Sequence, residues 1–71
     1  MIKLVYYIGV AAHEKELIWL REQSIYPASE NEFDPSTGMP MIRIGVIVPK
    51  ESALAIKLRH KIAYQAEYKQ K

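Results

Sequence analysis

From Met41 to Val48 the chain alternates, and Pro49 then separates that alternation from a pattern of helical spacing. Ile42, Ile44, Val46 and Val48 fall on one face of a strand, with Met41, Arg43, Gly45 and Ile47 on the other. Pro49 stops the ladder and suits the first turn of a helix, where a missing N–H costs nothing. Glu51 and Ser52 are compatible with a helix start, and Leu54, Ala55, Leu58, Ile62 and Ala66 then recur as one apolar stripe. The spacing therefore predicts a strand running into a long helix that reaches about Ala66. One strand face and one helix stripe must bury each other, which directs the chain to a layered α/β domain.

Seventy-one residues hold one domain. A chain this short buries only about 60% of its unfolded surface, so reinforcement by disulfides, a metal or association is the usual solution. The sequence has no cysteine and only two histidines, which removes disulfides and thiolate zinc sites and leaves association with a copy or a partner. Charge is unevenly placed. Residues 1–49 carry four Lys/Arg against six Asp/Glu, and residues 50–71 carry six against two. An acidic front and a basic tail suit an anionic partner or complementarity between copies. No apolar run is long enough for a transmembrane helix. Leu4–Ala12 has the length of a signal-peptide core, yet it reads as a structural strand. Lack of cysteine fits a reducing compartment, and a cytoplasmic location is expected.

Ile2–Val10 is rich in β-branched and aromatic residues and predicts a strand, with Ile2, Leu4, Tyr6, Ile8 and Val10 toward the core. Ala12–Ser24 predicts a helix with Glu14 and Glu16 near its positive end and Leu17, Ile18 and Leu20 inward. This phase turns Trp19 outward, where it reads either as a partner anchor or as a ring that lies flat on its own helix or packs beneath the loop that follows. Tyr26–Phe33 reads as a short irregular edge strand or as an ordered loop, since Pro27 restricts it. Asp34-Pro35-Ser36-Thr37-Gly38 is a turn signal. The expected fold is an α+β sandwich over residues 1–68, ordered βαββα, a ferredoxin-like arrangement lacking the last strand. Two helices would cover one face of a two- to three-stranded sheet, the first strand would be an open edge, and 69–71 would fray.

Two surfaces carry functional candidates. On the expected long helix, Lys57, Lys61, Tyr64 and Tyr68 lie on one side with His60 beside them, away from the apolar stripe. Lysines neutralise phosphates and tyrosines stack on bases, so this face suits nucleic acid, while its ordinary reading is a solvated face with lysine stems against tyrosine rings. The second surface is the sheet face opposite the helices, with Lys3, Tyr7 and Arg43.

Val5-Tyr6-Tyr7-Ile8-Gly9 resembles the first-strand motif of RNA recognition motif domains, with Tyr7 at the stacking position. The resemblance implies an RNA-binding role for the face that holds Lys3, Tyr7 and Arg43. It covers two short stretches and assigns no membership, because Arg43 and Gly45 stand where that family carries aromatics and no final strand is expected. Val5, Met41 and Ile47 on the same face favour cover by a second subunit instead.

Catalytic patterns are lacking. His13 and His60 are the only histidines and Asp34 the only aspartate. Glu14 and Glu16 diverge on a helix, and Gly9-Val10 follows a strand without a phosphate-loop glycine pattern. Glu30, Glu32 and Asp34 alternate as an acidic strand edge rather than a cation site. The sequence thus predicts a non-enzymatic interaction protein without metal or cofactor, self-associating as a dimer and binding a partner protein, with a nucleic-acid-binding module as the alternative.

Overall fold

The computed structural model describes residues 1–69. Strand β1 (Ile2–Gly9) leads through a single 3₁₀ turn at Val10–Ala12 into helix α1 (His13–Glu22). Strands β2 (Ala28–Phe33) and β3 (Pro40–Val48) form a hairpin, helix α2 (Lys50–Arg59) follows, and β4 (Tyr64–Glu67) closes the order. The sheet runs β2-β3-β1-β4 with every neighbour antiparallel. This is an α+β domain of four strands and two helices, so the expected sheet of two or three strands is corrected.

The largest correction is at the chain's end. The helix predicted to reach Ala66 stops at Arg59, and His60 is already extended (φ −139°, ψ 151°). Tyr64–Glu67 pairs with β1 from Val5 back to Ile2. Helical spacing was a weak guide here because β1 offers unpaired backbone along its edge, and pairing it outweighs local propensity. The first strand is consequently covered over Ile2–Val5. The fraying expected for 69–71 falls partly on residues 70–71, which lie outside the described residues.

The buried faces also shift. Leu4, Tyr6, Ile8, Ile42, Ile44, Val46 and Val48 form the sheet's inner face, as alternation predicts, whereas Val10 is exposed in the 3₁₀ turn. On α2 the buried residues are Ala53 and Ile56, not Leu54 and Leu58, and Leu58 is 91% exposed. The inward stripe advances by three residues, Ala53 to Ile56, and the next such step brings the exposed Arg59 to the margin of the core. On α1 the buried residues are Glu16 and Leu20, while Ile18 faces out and Trp19 packs partly against the core. Trp19 is therefore not the outward residue that the sequence predicts.

Two local motifs fix the connections. Ser24 adopts φ 59° after α1, its N–H donates to Arg21 O (2.9 Å), and Ile25 N–H donates to Leu20 O (2.8 Å). This is a Schellman ending, with the apolar pair Leu20 and Ile25 both buried. In the hairpin, Asp34 Oδ1 accepts from Ser36 N–H (2.8 Å) and Ser36 Oγ–H (2.7 Å), and Gly38 takes φ 72°. Asp34 N–H donates to Met39 O (2.8 Å), closing the turn that the sequence places there. The Tyr26–Phe33 alternative resolves into a strand from Ala28, beyond Pro27.

Two stability measurements follow from these placements. Chemical denaturation of Ile56→Ala should show a loss of about 2–5 kcal/mol, whereas Leu58→Ser should stay within about 0.5 kcal/mol of the parent. Ser24→Gly should raise stability by about 1 kcal/mol, because glycine adopts the left-handed conformation without the steric cost that serine bears.

Candidate functional site

The helix layer contains one buried charge. Glu16 is 3% exposed and sits one turn before Leu20 on the inward side of α1. Its Oε2 accepts from the Tyr6 hydroxyl (2.7 Å), and its Oε1 accepts from an Arg59 guanidinium N–H (2.8 Å). His60 Nε2 lies 3.0 Å from the same Oε1, but out of line for a hydrogen bond, so that contact is electrostatic when the ring is charged. The His60 ring stacks on Tyr6 with centroids 4.6 Å apart and planes 16° from parallel. Arg59 also lies over Trp19, with Cζ 4.0 Å from the ring centroid.

Burial alone would push the Glu16 carboxyl up, but the hydrogen bonds from Tyr6 and Arg59 and the nearness of His60 outweigh it and hold the group below the usual carboxylate value. Burial, reinforced by the hydrogen bond to Glu16 and its negative charge, pushes the Tyr6 hydroxyl far up, so it stays protonated as a donor. The carboxylate is occupied on both oxygens and is not free to act as a base. Its effect is to clamp the point where α2 ends and the chain turns toward β4. The sequence alone does not reveal this group: Glu16 reads there as a helix-dipole residue and Arg59 belongs to no candidate site. The available signal was spacing, since Glu16 is four residues from Leu20 and Arg59 three from Ile56.

The predicted surface residues regroup. Lys57 stays exposed on α2, while His60 and Lys61 lie in the connector, so the five residues expected on one helix side are split. Cross-strand pairing sets Tyr64 opposite Val5 and Ala66 opposite Lys3. On the other side of β1, Tyr7 pairs with Arg43, Val5 with Gly45 and Lys3 with Ile47. Directly opposed residues share a face, so Lys3, Tyr7, Arg43 and Tyr64 lie together on the sheet side away from the helices. Tyr68 N–H donates to Met1 O (2.9 Å), which extends the register and keeps Tyr68 on that side too. Glu30 pairs with Arg43 and Glu32 with Met41, adding two carboxylates to the same face. A pocket of about 270 Å³ opens at its end, lined by Tyr7, Asp34, Pro35 and Met41. Among the described residues, no three His, Asp or Glu side chains are grouped to hold a metal ion, and no helix is long and apolar enough to cross a membrane.

No protein-family model, curated protein or solved structure matches the chain.

Removal of the carboxylate by Glu16→Ala should lower stability by about 2–3 kcal/mol, measured by urea denaturation at neutral pH. Most of this arises from the Tyr6 hydroxyl left buried without an acceptor, since Arg59 is exposed enough to rehydrate. The folded-state value of Glu16 is depressed, so its contribution is complete above the unfolded-state value near 4.5 and declines as pH falls below it. Glu16→Gln should abolish that component of the acid-induced loss.

Proposed function

We propose that the chain is a small non-enzymatic, cytoplasmic interaction protein that self-associates and binds a partner protein through the uncovered face of its sheet. The observation that carries this reading is the row of apolar and aromatic residues exposed on that face, Tyr7, Ile47 and Tyr64 with the half-buried Met41, around Val5, which is already buried among its neighbours; among the described residues no helix lies over them. Gly45 and Ala66 add little side chain to this face, so the exposed rings and Ile47 dominate its surface. A sheet face of this kind is normally buried against another layer, and a 71-residue core has reason to recruit one. The lack of cysteine supports the cytoplasmic part.

Charge separates this reading from its rival. Lys3 and Arg43 share the face with Glu30 and Glu32, so its charges balance. Phosphate binding calls for a positive excess, which this face lacks. The nucleic-acid reading keeps one specific support, the placement of Tyr7, Tyr64 and Tyr68 together with Lys3 and Arg43, and it moves from the helix to the sheet.

Sedimentation equilibrium across a hundredfold dilution should show a dimer that dissociates, and Ile47→Lys should weaken association by at least about tenfold without unfolding the chain. A mass of one chain at every concentration would remove self-association. Single-stranded RNA should bind weakly at low salt. A steep salt dependence abolished by Lys3→Glu with Arg43→Glu would instead establish the rival reading.

A further inference from the structure

We propose that the free edge of β2 accepts an extended basic segment of a partner protein as a fifth strand. This surface is the edge of the sheet, and Glu30 and Glu32 border both it and the face discussed above. In the order β2-β3-β1-β4, β2 has a neighbour on one side only. The Asp34 N–H bonds across the hairpin to Met39 O, in the same register that pairs Phe33 with Pro40. Alternation along an antiparallel ladder then directs the N–H and C=O groups of Glu32, Glu30 and Ala28 toward β3. Those of Phe33, Asn31 and Ser29 point outward, where no strand is present. Pro40, which has no N–H, sits opposite an outward-bonding residue and costs the ladder nothing.

The devices that usually protect an edge are scarce. β2 contains no lysine and no proline, and its register with β3 is unbroken from Ala28 to Phe33. Aromatic rings stand at both ends, Tyr26 79% and Phe33 73% exposed. Beside the edge, on the helix side, a pocket of about 90 Å³ is lined by His13, Ser29, Glu30, Asn31 and Ile42. His13 Nε2 is withdrawn from solvent there without a hydrogen-bond partner. An added strand would place every second side chain toward this pocket and the intervening ones beside Glu30 and Glu32.

Charge selects the occupant. Neither Glu30 nor Glu32 has an ion pair among the described residues. A second copy pairing β2 on β2 about a two-fold at Asn31 would set Glu30 against Glu32 twice, and two-folds at Glu30 or Glu32 would set each glutamate against itself. Like charges therefore disfavour a copy. Lysine or arginine at alternate positions of a partner segment satisfies both carboxylates, and a small hydroxyl or amide side chain between them fits the pocket and offers His13 a partner.

The test uses capped octapeptides alternating Thr with Lys, Thr with Glu and Thr with Gln, titrated into the whole chain by fluorescence anisotropy and amide hydrogen exchange. The Thr-Lys peptide should bind at least about tenfold tighter than the other two and should slow exchange at Ser29, Asn31 and Phe33. Glu30→Gln with Glu32→Gln should reduce its affinity to that of the Thr-Gln peptide. Asn31→Pro removes an outward N–H without breaking the β2–β3 ladder and should abolish binding by all three. No binding of the Thr-Lys peptide at about 1 mM, binding without protection of those three amides, or undiminished binding by the Glu30/Glu32 variant would each overturn the proposal.

Discussion

A single carboxylate, Glu16, ties together by polar bonds three elements that also share the hydrophobic core. It lies on α1, accepts a hydrogen bond from the Tyr6 hydroxyl on β1, and accepts another from Arg59 at the last turn of α2. A buried charge is tolerable only when its oxygens are satisfied, and these are. The requirement works outward. Arg59, though exposed, must reach Glu16 from the last turn of α2, and that phase of the helix turns Ala53 and Ile56 to the core and leaves Leu54 and Leu58 outside. His60, drawn in beside Tyr6, takes extended geometry and ends the helix. From there only three residues separate it from β4. An apolar stripe chosen by hydrophobicity alone would have continued the helix and left the β1 edge bare.

The legible part of the fold is the part governed by period two and by turn chemistry. The β1 and β3 inner faces, the break at Pro49 and the Asp34–Gly38 turn are all visible in the residues that form them. What escaped was decided by contacts distant in sequence. Residues 60–68 have spacing compatible with a helix, and nothing local reveals that β1 needs a partner at Ile2–Val5. Glu16 looked like a residue suited to a helix start, because its acceptor role depends on Arg59, 43 residues later. Trp19 looked outward for the same reason: its cover is Arg59, which no window around α1 contains.

The candidate surfaces changed through those same errors. Reading residues 60–68 as helix gathered Lys57, Lys61, Tyr64 and Tyr68 on one side and gave a basic stripe. As a strand, the segment delivers Tyr64 to the sheet face already holding Lys3, Tyr7 and Arg43, and leaves Lys57 and Lys61 elsewhere. The residues keep their chemistry but lose the concentration of positive charge that made phosphate attractive. Electrostatic attraction depends on the sum over a surface, not on the presence of individual lysines. Balanced by Glu30 and Glu32, this face carries no positive excess, which is why the proposed reading favours a protein surface over a polyanion.

The sheet face and the β2 edge differ in kind, and that difference argues for different occupants. The face offers side chains and is largely apolar, so it gains by excluding water against a second layer. The β2 edge offers backbone groups flanked by carboxylates, so it gains by completing hydrogen bonds to an extended chain of opposite charge. A layer packed on the face stands about 10 Å away from the sheet and leaves its outer strand laterally open. Glu30 and Glu32 border both surfaces, so the two sites meet at those carboxylates. A pair of chains joined through their faces would present two β2 edges, and a partner carrying two basic segments would then bind bivalently.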